Sequence, residues 1–261
     1  MIKVGVSGAG GRMGREVCRA ITAEEGLELV CAIDPSYAGT VLSELLPGLE
    51  SDITVSGSLQ DLHSCGTEVM VDFSVAAAAR VGVSYALDRG IACVVGTTGL
   101  EAGDLEDFAR IADERGTGCL VAPNFAIGAV LMMEFARLAA RHMPACEIVE
   151  LHHDRKIDAP SGTALNTARM ILEERGVEIA SAEASEAGPR GLDLGGIRVH
   201  SVRLPGLMAH QEVIFGGAGQ TLSIRHDTFD RASFMPGVMM AVKGIVEMKG
   251  LVLGLDKVLD V

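Results

Sequence analysis

One stretch near the start of the chain decides the fold, and it reads Val4-Gly5-Val6-Ser7-Gly8-Ala9-Gly10-Gly11-Arg12-Met13-Gly14. A strand-like apolar run leads into glycines at 8, 11 and 14, and a helical stretch follows them. Glycine allows a tight turn from strand to helix and a close approach of the backbone to a ligand. The N-terminus of such a helix presents free N–H groups to a pyrophosphate. This G-x-x-G-x-x-G pattern is a variant of the G-x-G-x-x-G fingerprint, and it predicts a dinucleotide-binding turn.

An acidic residue at the end of the next predicted strand supports this interpretation. Asp34 lies 20 residues after Gly14, where a carboxylate can hold the ribose hydroxyls of an adenosine. A tight turn that binds no ligand is the alternative.

The segments around this turn alternate between strands and helices up to about residue 124. The predicted strands cover residues 2–7, 28–33, 68–73, 91–95 and 118–122. The predicted helices cover residues 12–23, 75–89 and 101–115, and the less regular residues 35–63 hold a variable helix and a short strand at 53–55. Apolar strands that alternate with helices are typical of a parallel sheet covered on both faces. The first part of the chain is therefore predicted to be a Rossmann-type α/β domain.

The pattern changes after Asn124. We expect a helix at 126–142, a strand at 146–151 and a helix at 161–175. Alternating segments at 197–204, 211–215 and 221–226 have the pattern of an antiparallel sheet. Residues 180–196 are predicted to be a surface excursion, and a helical stretch at 231–248 and an apolar segment at 251–253 close the chain. The second part is thus predicted to be an α+β domain with a mostly antiparallel open sheet.

Composition and charge exclude several classes of partner. The chain has 261 residues and a formal net charge of −13, and its aromatic residues are two Tyr and seven Phe. Affinity for a phosphate backbone needs clustered Lys and Arg, and base stacking needs aromatic side chains, so we expect no nucleic-acid partner. Because no apolar run reaches the roughly 18–20 residues of a membrane span, we expect no membrane partner either.

The cysteines indicate the compartment. All six lie in the first 146 residues, scattered and without a C-x-x-C pair, which is typical of reduced thiols in the cytosol. The chain opens directly with a strand-like segment, so no signal peptide is expected. We therefore predict a cytoplasmic location.

Chemically reactive side chains concentrate in one segment, which reads Glu150-Leu151-His152-His153-Asp154-Arg155-Lys156-Ile157-Asp158-Ala159-Pro160-Ser161-Gly162-Thr163-Ala164. Two adjacent imidazoles at a strand end can point in different directions, so that one acts as acid or base while its neighbour binds. The proline and serine mark a helix start, which leaves the N–H groups of Gly162 and Thr163 free to hold a carboxylate. Arg155 and Lys156 add positive charge beside this predicted anion site.

Other kinds of site agree less well with the sequence. Neither H-E-x-x-H nor a Cys/His spacing typical of zinc occurs, so no metal is expected. A Ser-His-Asp hydrolase would place its serine on a G-x-S-x-G elbow, which is also absent. We interpret His200 and His210 as polar positions on a sheet, and the role of His226 stays open.

Two further loops, Gly96-Thr97-Thr98-Gly99 and Ala122-Pro123-Asn124-Phe125, each follow a later predicted strand. Ligands of open parallel sheets lie outside the carboxyl ends of the strands. Either loop alone is equally consistent with an ordinary connection. Together with the glycine turn, we interpret them as walls for the nicotinamide end of a dinucleotide.

Taken together, these segments resemble the dihydrodipicolinate reductase family. Four separate blocks match, namely Gly8–Gly14, Gly96-Thr97-Thr98, Asn124-Phe125 and Glu150–Ala164, and the tail from Arg225 to Phe234 is similar as well. The run His-His-x-x-Lys-x-Asp-Ala-Pro-Ser-Gly-Thr is highly specific. The resemblance spans nearly the whole chain.

The resemblance implies a hydride transfer from NADH or NADPH to ring C4 of a cyclic imine dicarboxylate, dihydrodipicolinate or its hydrated 4-hydroxy form, in the diaminopimelate route to lysine. His152 would be the general acid, and Lys156 a second donor or charge partner. The substrate carboxylates would be bound by His153, Gly162 and Thr163. The cofactor would be contacted by Gly8, Ala9, Gly10, Gly11, Arg12, Met13, Asp34, Gly96, Thr97, Thr98, Ala122, Pro123, Asn124 and Phe125.

The resemblance also implies a domain organisation and an assembly. A dinucleotide-binding domain would span residues 1–124 and be completed by 231–261, and a substrate-binding and oligomerisation domain would span 125–230. The open sheet would pair subunits into a homotetramer, and the two domains would close on their ligands.

One position departs from the pattern of family members that favour NADPH. Those members often carry an arginine just after the acid of the second strand, whereas Pro35 and Ser36 follow Asp34 here. An acid without an adjacent cation favours NADH. Because Arg12 could reach a 2′-phosphate, we predict that NADH is preferred or that both cofactors are used.

Two alternatives stay open on the sequence. The chain could be another Rossmann-type oxidoreductase, acting on an open-chain amino acid or a sugar, or a non-catalytic NAD(H)-sensing protein. The combination of His152, His153 and Lys156 argues against a sensor, because a sensor needs no proton donor beside a carboxylate site.

Overall fold

The computed structural model describes residues 1–177 and 185–259. The chain divides into two compact units. Of the described residues, the first unit comprises Met1–Phe125 and Phe234–Leu259, and the second comprises those between Ala126 and Ser233. Each unit is built around its own six-stranded sheet.

The first unit contains a parallel sheet. Its strands are β1 (Ile2–Ser7), β2 (Leu27–Ile33), β3 (Val69–Asp72), β4 (Ala92–Val95), β5 (Gly118–Val121) and, late in the chain, β12 (Gly250–Leu253). They lie in the order β12-β5-β4-β3-β1-β2, and every neighbouring pair is parallel. The helices of this unit are α1 (Arg12–Ala23), α2 (Leu42–Leu45), α3 (Gln60–Ser64), α4 (Ala76–Asp88), α5 (Ala102–Arg115), α8 (Met235–Ile245) and α9 (Asp256–Leu259). Every residue of β3 and β4 is buried, as expected for strands that helices cover on both faces.

The strand order places the predicted cofactor loops along one edge of this sheet. β1 lies between β2 and β3, so the order of the strands reverses at β1. Open parallel sheets bind ligands outside the carboxyl ends of their strands at such a reversal. The predicted loops at residues 8–14, 96–99 and 122–125 follow the carboxyl ends of β1, β4 and β5. They therefore lie on the edge at which this class of fold binds its ligands.

The second unit contains a mixed, mostly antiparallel sheet. Its strands are β6 (Ala145–His152), β7 (Ser185–Gly188), β8 (Gly191–Leu194), β9 (Ile197–Arg203), β10 (Ala209–Gly217) and β11 (Gln220–Thr228), in the order β11-β10-β6-β9-β8-β7. Only the pair β6 and β9 is parallel within the described sheet. The helices α6 (Ile127–Ala140) and α7 (Gly162–Glu174) pack on one face of it. Buried side chains of that face are Ile148, Val199, Val213 and Phe215.

The predicted fold class is confirmed in both units. Helices α1, α4, α5, α6 and α7 begin and end within two residues of the predicted bounds. Among the described residues, no helix is long and apolar enough to cross a membrane.

In the first unit, three segments differ from the sequence prediction. Residues 53–55 form no strand, because Thr54 makes only a single bridge, to Val41. Residues 251–253 belong to β12, because their backbone pairs in parallel with β5 and extends the sheet. The helix predicted at 231–248 begins only at Met235, after a turn of 3-10 helix at Arg231–Phe234, and ends at Ile245.

In the second unit, the predicted surface excursion at 180–196 is wrong for residues 185–194. These residues form β7 and β8 at the edge of the sheet. The physical reason is the alternation of Leu192 and Leu194, which pair with Val199 and Ile197 of β9, so that Leu194 is buried. Residues 180–184 of the excursion lie outside the described part of the chain.

The glycine turn is expected to tolerate no side chain at Gly14. A Cβ there would lie 2.0 Å from the carbonyl oxygen of Gly8 and 2.9 Å from the Cα of Ala9. Since both atoms belong to the backbone, Gly14→Ala should lower the free energy of unfolding by about 1–3 kcal/mol in a urea titration. Gly103→Ala in α5 is the matched control, because nothing lies within 4 Å of its added Cβ, and it should be neutral or stabilising. Equal losses in the two variants would contradict this account of the turn.

Candidate active site

The glycine-rich turn after β1 folds back on the end of β2. The N–H groups of Gly8 and Ala9 donate to the carbonyl oxygen of Ile33 at 2.9 and 3.1 Å, and the N–H of Gly11 donates to that of Gly8 at 3.0 Å. Gly8 has a φ of +78°, a conformation that favours glycine. The turn is therefore held by its own backbone, with glycine at the points where a side chain does not fit.

The first turn of α1 is open to an anion. The helix begins at Arg12 with Gly11 as its N-cap, which supplies no side-chain hydrogen bond, and no acidic residue lies in the first turn. Helix N-termini without a capping side chain leave N–H groups free, and the helix dipole favours negative charge there. The residues present fit the pyrophosphate of a dinucleotide.

Asp34 lies directly beside this turn. Its Oδ2 accepts the N–H of Gly10 and its Oδ1 accepts the N–H of Ser36, each at 3.0 Å. A Cβ on Gly10 would lie 2.0 Å from the ring of Tyr37, so the glycine also lets Tyr37 pack against the turn. The guanidinium of Arg15 lies over that ring, 5.4 Å from its centroid, and donates to the carbonyl oxygen of Gly10. The carboxylate is thus held in place by two backbone amides.

A pocket of about 610 Å³ adjoins the turn and Asp34. Its volume lies within the roughly 300–1,000 Å³ usual for small-molecule sites. Apolar residues that the sequence analysis did not single out form part of its lining, including Phe73, Val75, Ala78 and Val81. Val75 and Val81 are largely exposed, so their apolar surface is available to a ligand in this pocket.

The other two predicted cofactor loops pack around Phe73. The N–H of Gly96 donates to the carbonyl oxygen of Asp72 at 2.9 Å, and a Cβ on Gly96 would lie 2.2 Å from the ring of Phe73. The ring of Phe125 lies 5.7 Å from that of Phe73, measured between centroids. Both loops are therefore anchored to the residue that follows β3.

A buried carboxylate that the sequence analysis missed organises the same region. Asp72 has no exposed surface and accepts hydrogen bonds from the hydroxyls of Ser74 at 2.9 Å and Thr97 at 2.5 Å. Of the other predicted cofactor residues, Arg12, Thr98 and Pro123 are exposed, while Met13 and Asn124 are half-buried and Ala122 is buried. The structure brings the predicted residues of all three loops to one edge of the first sheet.

In the second unit, His152 ends β6 and contacts a buried acid. Its Nδ1 lies 2.5 Å from Oε2 of Glu150, which has no exposed surface. The guanidinium of Arg203, at the end of β9, donates to both carboxylate oxygens of Glu150 at 2.9 and 2.8 Å. The parallel register of β6 and β9 places His152 directly opposite Arg203. These three side chains form what we call the Glu150 cluster.

The Glu150 cluster keeps its carboxylate ionised. Burial alone would raise the pKa of Glu150, but hydrogen bonds from His152, Arg203 and Ser201 outweigh that effect and lower the pKa from 4.5 to about 2. Glu150 is therefore an anion throughout the neutral range, and an ionised carboxylate can only accept hydrogen bonds.

The predicted anion site at the start of α7 adjoins the same cluster. Ser161 is the N-cap; its hydroxyl accepts the N–H of Ala164 at 3.2 Å, and its own N–H donates to Oε1 of Glu150 at 3.3 Å. The N–H groups of Gly162 and Thr163 have no protein acceptor within the described residues. Nothing lies within 4 Å of a Cβ placed on Gly162, so the approach to these amides is open. Two free amides at a helix start suit a carboxylate.

The remaining predicted site residues lie on the loop between β6 and α7. Lys156 Nζ donates to both carboxylate oxygens of Asp158 at 2.8 Å, a pairing that the sequence analysis did not predict. The Nδ1 of His153 is buried and has no hydrogen-bond partner. A buried polar atom without a partner is rare in native structures and is consistent with a ligand that supplies the partner.

The other histidines of the second unit have different surroundings. His200 Nε2 lies 2.7 Å from Glu147 on the sheet face opposite the helices. His210 Nε2 accepts the N–H of Met208 at 3.2 Å, so its Nδ1 carries the proton that faces Asp227 at 2.7 Å. Burial lowers the pKa of His226. Within residues 1–177 and 185–259, no group of three or more His, Cys, Asp or Glu is placed to hold a metal ion.

Two residues of the Glu150 cluster received no role in the sequence analysis. Glu150 could have been found there, because residues two apart on a strand point to the same face and Glu150 lies two before His152. Arg203 could not, because its contact with a residue 53 positions earlier in the sequence depends on the register between β6 and β9.

Removing the cation of this cluster should destabilise the protein in a pH-dependent way. Arg203→Met leaves the Glu150 carboxylate buried without its cation, so the free energy of unfolding should fall by about 3–5 kcal/mol at about pH 7. Because the pKa of Glu150 in the folded protein is depressed to about 2, its pairing stabilises the protein above pH 4.5, and this contribution is lost as the pH falls from 4.5 towards 2. The difference between wild type and variant should therefore be smaller at about pH 4 than at about pH 7 in urea titrations.

Arg198→Met is the matched control for this measurement. Arg198 lies on β9 as well, on the opposite face, where it pairs with Asp193 at 3.0 Å at a partly exposed position. Its loss should cost no more than about 1 kcal/mol. A loss for Arg203→Met that is equally small, or independent of pH, would show that the buried pair is not what stabilises this region.

Comparison with known proteins agrees with this geometry. The chain matches the family described as dihydrodipicolinate reductase, its N-terminal part over residues 2–125 and its C-terminal part over residues 128–259. The 4-hydroxy-tetrahydrodipicolinate reductase of Syntrophomonas wolfei subsp. wolfei is 48% identical over 262 residues and 98% of each chain is covered. The enzyme of the same name from Halalkalibacterium halodurans is 47% identical over 264 residues and 100% of each chain is covered.

A solved structure is similar over the same extent. The dipicolinate-bound dihydrodipicolinate reductase from Paenisporosarcina sp. TG-14 is 41% identical, with a TM-score of 0.85, and the match covers 98% of this chain and 99% of that one. The glycine turn, the sheet of the second unit and the reactive segment therefore occur in a chain whose whole length matches one enzyme family. The chain belongs to the dihydrodipicolinate reductase family.

Proposed function

We propose that the protein reduces dihydrodipicolinate, or its hydrated form 4-hydroxy-tetrahydrodipicolinate, to tetrahydrodipicolinate with NADH or NADPH, in the diaminopimelate route to lysine. One observation carries the proposal. An imidazole in contact with a buried carboxylate and two free helix-start amides lie on a single segment, residues 152–163. That combination suits proton donation beside a bound carboxylate, which a cyclic imine dicarboxylate requires.

The first unit has the features that a nicotinamide dinucleotide needs. Gly8–Met13 would hold the pyrophosphate, because the glycines allow the tight turn and the first amides of α1 have no capping side chain. Asp34 would hold the adenosine ribose. The loops Gly96–Thr98 and Ala122–Phe125, both anchored near Phe73, would contact the nicotinamide end. When bound, the cofactor supplies the hydride that is transferred to C4 of the substrate ring.

The second unit has the groups that the substrate needs. Gly162 and Thr163 would bind one substrate carboxylate through their N–H groups, and His153, with its unpaired Nδ1, would bind another polar group of the same dianion. His152 would donate the proton to the carbon next to C4. Lys156 would act as a second donor or charge partner once it leaves Asp158. These side chains give an acidic protein a local site for a dianion.

The surroundings of Asp34 support a preference for NADH or the use of both cofactors. Both oxygens of the carboxylate are held by backbone amides, and the residues that follow it are Pro35 and Ser36. A carboxylate facing the ribose repels a 2′-phosphate unless a cation is near. Arg12, exposed at the start of α1, is the side chain we propose for meeting that phosphate when NADPH binds.

The sheet of the second unit also supports the homotetramer that we propose. On the face opposite α6 and α7, apolar side chains remain partly exposed, namely Val149, Leu151, Val202 and Ile214. A sheet face of this kind is stabilised when a second copy covers it.

The unpaired thiols of all six cysteines fit the cytoplasmic location that we propose for the enzyme.

The reaction can be tested directly. With freshly generated product of dihydrodipicolinate synthase, the protein should oxidise NADH, and His152→Ala should lower kcat by about 100- to 10,000-fold while NADH still binds. His200→Ala is the matched control, because His200 of β9 contacts Glu147 on the sheet face opposite His152, and its kcat should stay unchanged.

Other outcomes of that assay identify the alternatives. Turnover of an open-chain substrate with none of the cyclic imine would indicate another oxidoreductase. Binding of NADH that is unaffected in His152→Ala, with no turnover by the wild type, would indicate a sensor.

The cofactor preference gives a separate prediction. The ratio of kcat/KM for NADH to that for NADPH should be one or larger. Arg12→Gln should lower kcat/KM for NADPH by about tenfold more than for NADH, because a charged hydrogen bond to the 2′-phosphate is lost. A ratio strongly in favour of NADPH, or an equal effect of Arg12→Gln on both cofactors, would overturn this assignment.

A further inference from the structure

Resting on the proposed function, we infer that Glu150 and Arg203 are positioning residues for the proton donor. The buried pair holds the imidazole of His152 with Nδ1 inward and Nε2 available to the substrate, and it ties the anion site of α7 to the same carboxylate. Neither residue would touch the substrate or the cofactor. Their effect would act through His152 and through the start of α7.

The orientation of His152 follows from hydrogen-bond chemistry. An ionised carboxylate can only accept, so the Nδ1 of His152, 2.5 Å from Glu150 Oε2, carries a proton. In the neutral ring Nε2 then has none, and in the charged ring Nε2 carries the second, transferable proton. In the donation step the Nε2–H bond breaks and a C–H bond forms on the substrate. His152 is left neutral, and its Nδ1–H still donates a hydrogen bond to Glu150. The carboxylate thus selects one nitrogen for the reaction.

The arginine keeps this carboxylate in place and ionised. Arg203 binds both oxygens of Glu150 and also donates to the carbonyl oxygen of Asp158 at 2.7 Å, on the loop that carries Lys156. The N–H of Ser161 binds Oε1 of the same carboxylate. One carboxylate therefore joins the strand that carries the proton donor to the helix start that carries the free amides.

The charged groups around His152 come from three elements. Glu150 lies on β6 and Arg203 on β9, and the loop to α7 carries Lys156 and Asp158, which pair with each other, and the exposed Asp154 and Arg155. On its other side His152 faces Ala209 of β10, and the first turn of α7 has no acidic residue. Glu150 is thus the anion in direct contact with the imidazole among the described residues.

The same strand offers a matched control. Glu147 also lies on β6, contacts the imidazole of His200 at 2.7 Å and pairs with Arg190, but on the opposite face and at a partly exposed position. Glu147→Gln therefore removes the same charge from the same kind of cluster. It does so away from His152.

The test compares Glu150→Gln with Glu147→Gln in the reductase assay across pH. Glu150→Gln should lower kcat by about 10- to 100-fold, a part of the contribution of a general acid, with the KM for NADH unchanged. The pH profile of kcat should differ from that of the wild type, because the imidazole that donates the proton loses the anion in direct contact with it. Glu150→Asp, which keeps the charge, should recover part of kcat. Glu147→Gln should match the wild type in kcat and in pH profile.

A spectroscopic readout separates this inference from the proposed function. In ¹⁵N–¹H spectra of the full-length wild type at neutral pH, His152 should show a protonated Nδ1 in a strong hydrogen bond, and Glu150→Gln should weaken that signal. If the wild type is inactive on the cyclic imine but still shows this signal, the proposed reaction is refuted. The inferred orientation of His152 is then still supported. A mixture of tautomers at His152 in the wild type, or wild-type kcat and pH profile in Glu150→Gln, would overturn the positioning role. The wild-type spectrum decides this point even where a variant folds poorly.

Discussion

The second unit depends on one buried ion pair, between Glu150 and Arg203. Moving a carboxylate out of water is costly, so it must be paired and must have its hydrogen bonds satisfied. Glu150 meets this requirement with partners from separate parts of the chain: His152 beside it, Arg203 on β9 and the N–H of Ser161 at the start of α7. Because each missing bond would leave a buried charge unsatisfied, these parts have little freedom to move independently. An imidazole and a pair of free amides are held near each other as a consequence.

The first unit follows the same physical rule with a different carboxylate. Asp72, at the end of β3, is fully buried and is satisfied by Ser74 and Thr97. Those bonds hold the loop after β4 against the residue that follows β3. Each unit therefore uses a buried acid near the carboxyl end of a strand to fix the loops that carry the predicted binding residues. In both units the hydrogen bonds of the acid hold the surrounding backbone and side chains in place.

Burial, and not residue type, distinguishes the Glu150 cluster from its neighbour on the other sheet face. Glu147, His200 and Arg190 repeat the same three residue types, yet their side chains are 38%, 29% and 71% exposed. In the single chain, water screens such a cluster, and its contribution to stability and orientation is small. The net charge of −13 is a property of the whole chain, and it repels anionic partners such as nucleic acid. Glu150, by contrast, is fully buried and contacts the Nδ1 of His152.

Much of the fold and part of the candidate site could be predicted from the sequence. The glycine turn, the helix starts and the alternation of the strands are local properties, since each depends on the conformational preferences of a few adjacent residues. For that reason α1 lies where its pattern predicts it, and the reactive segment between His152 and Thr163 could be recognised in advance. Where local patterns were weak, as at β7 and β8, the prediction was wrong, because pairing with β9 gave those residues their structure.

What only the tertiary structure decided is which distant residues meet. Arg203 contacts Glu150 across 53 residues of sequence because β6 and β9 pair in parallel with one particular register. A register shifted by one residue would turn Arg203 to the other face of the sheet. The sequence by itself determined the residue types, the element order and the two kinds of binding segment. The pairing of strands determined which acid is buried and which cation neutralises it, because hydrogen bonding between strands is non-local and cannot be deduced from neighbouring residues.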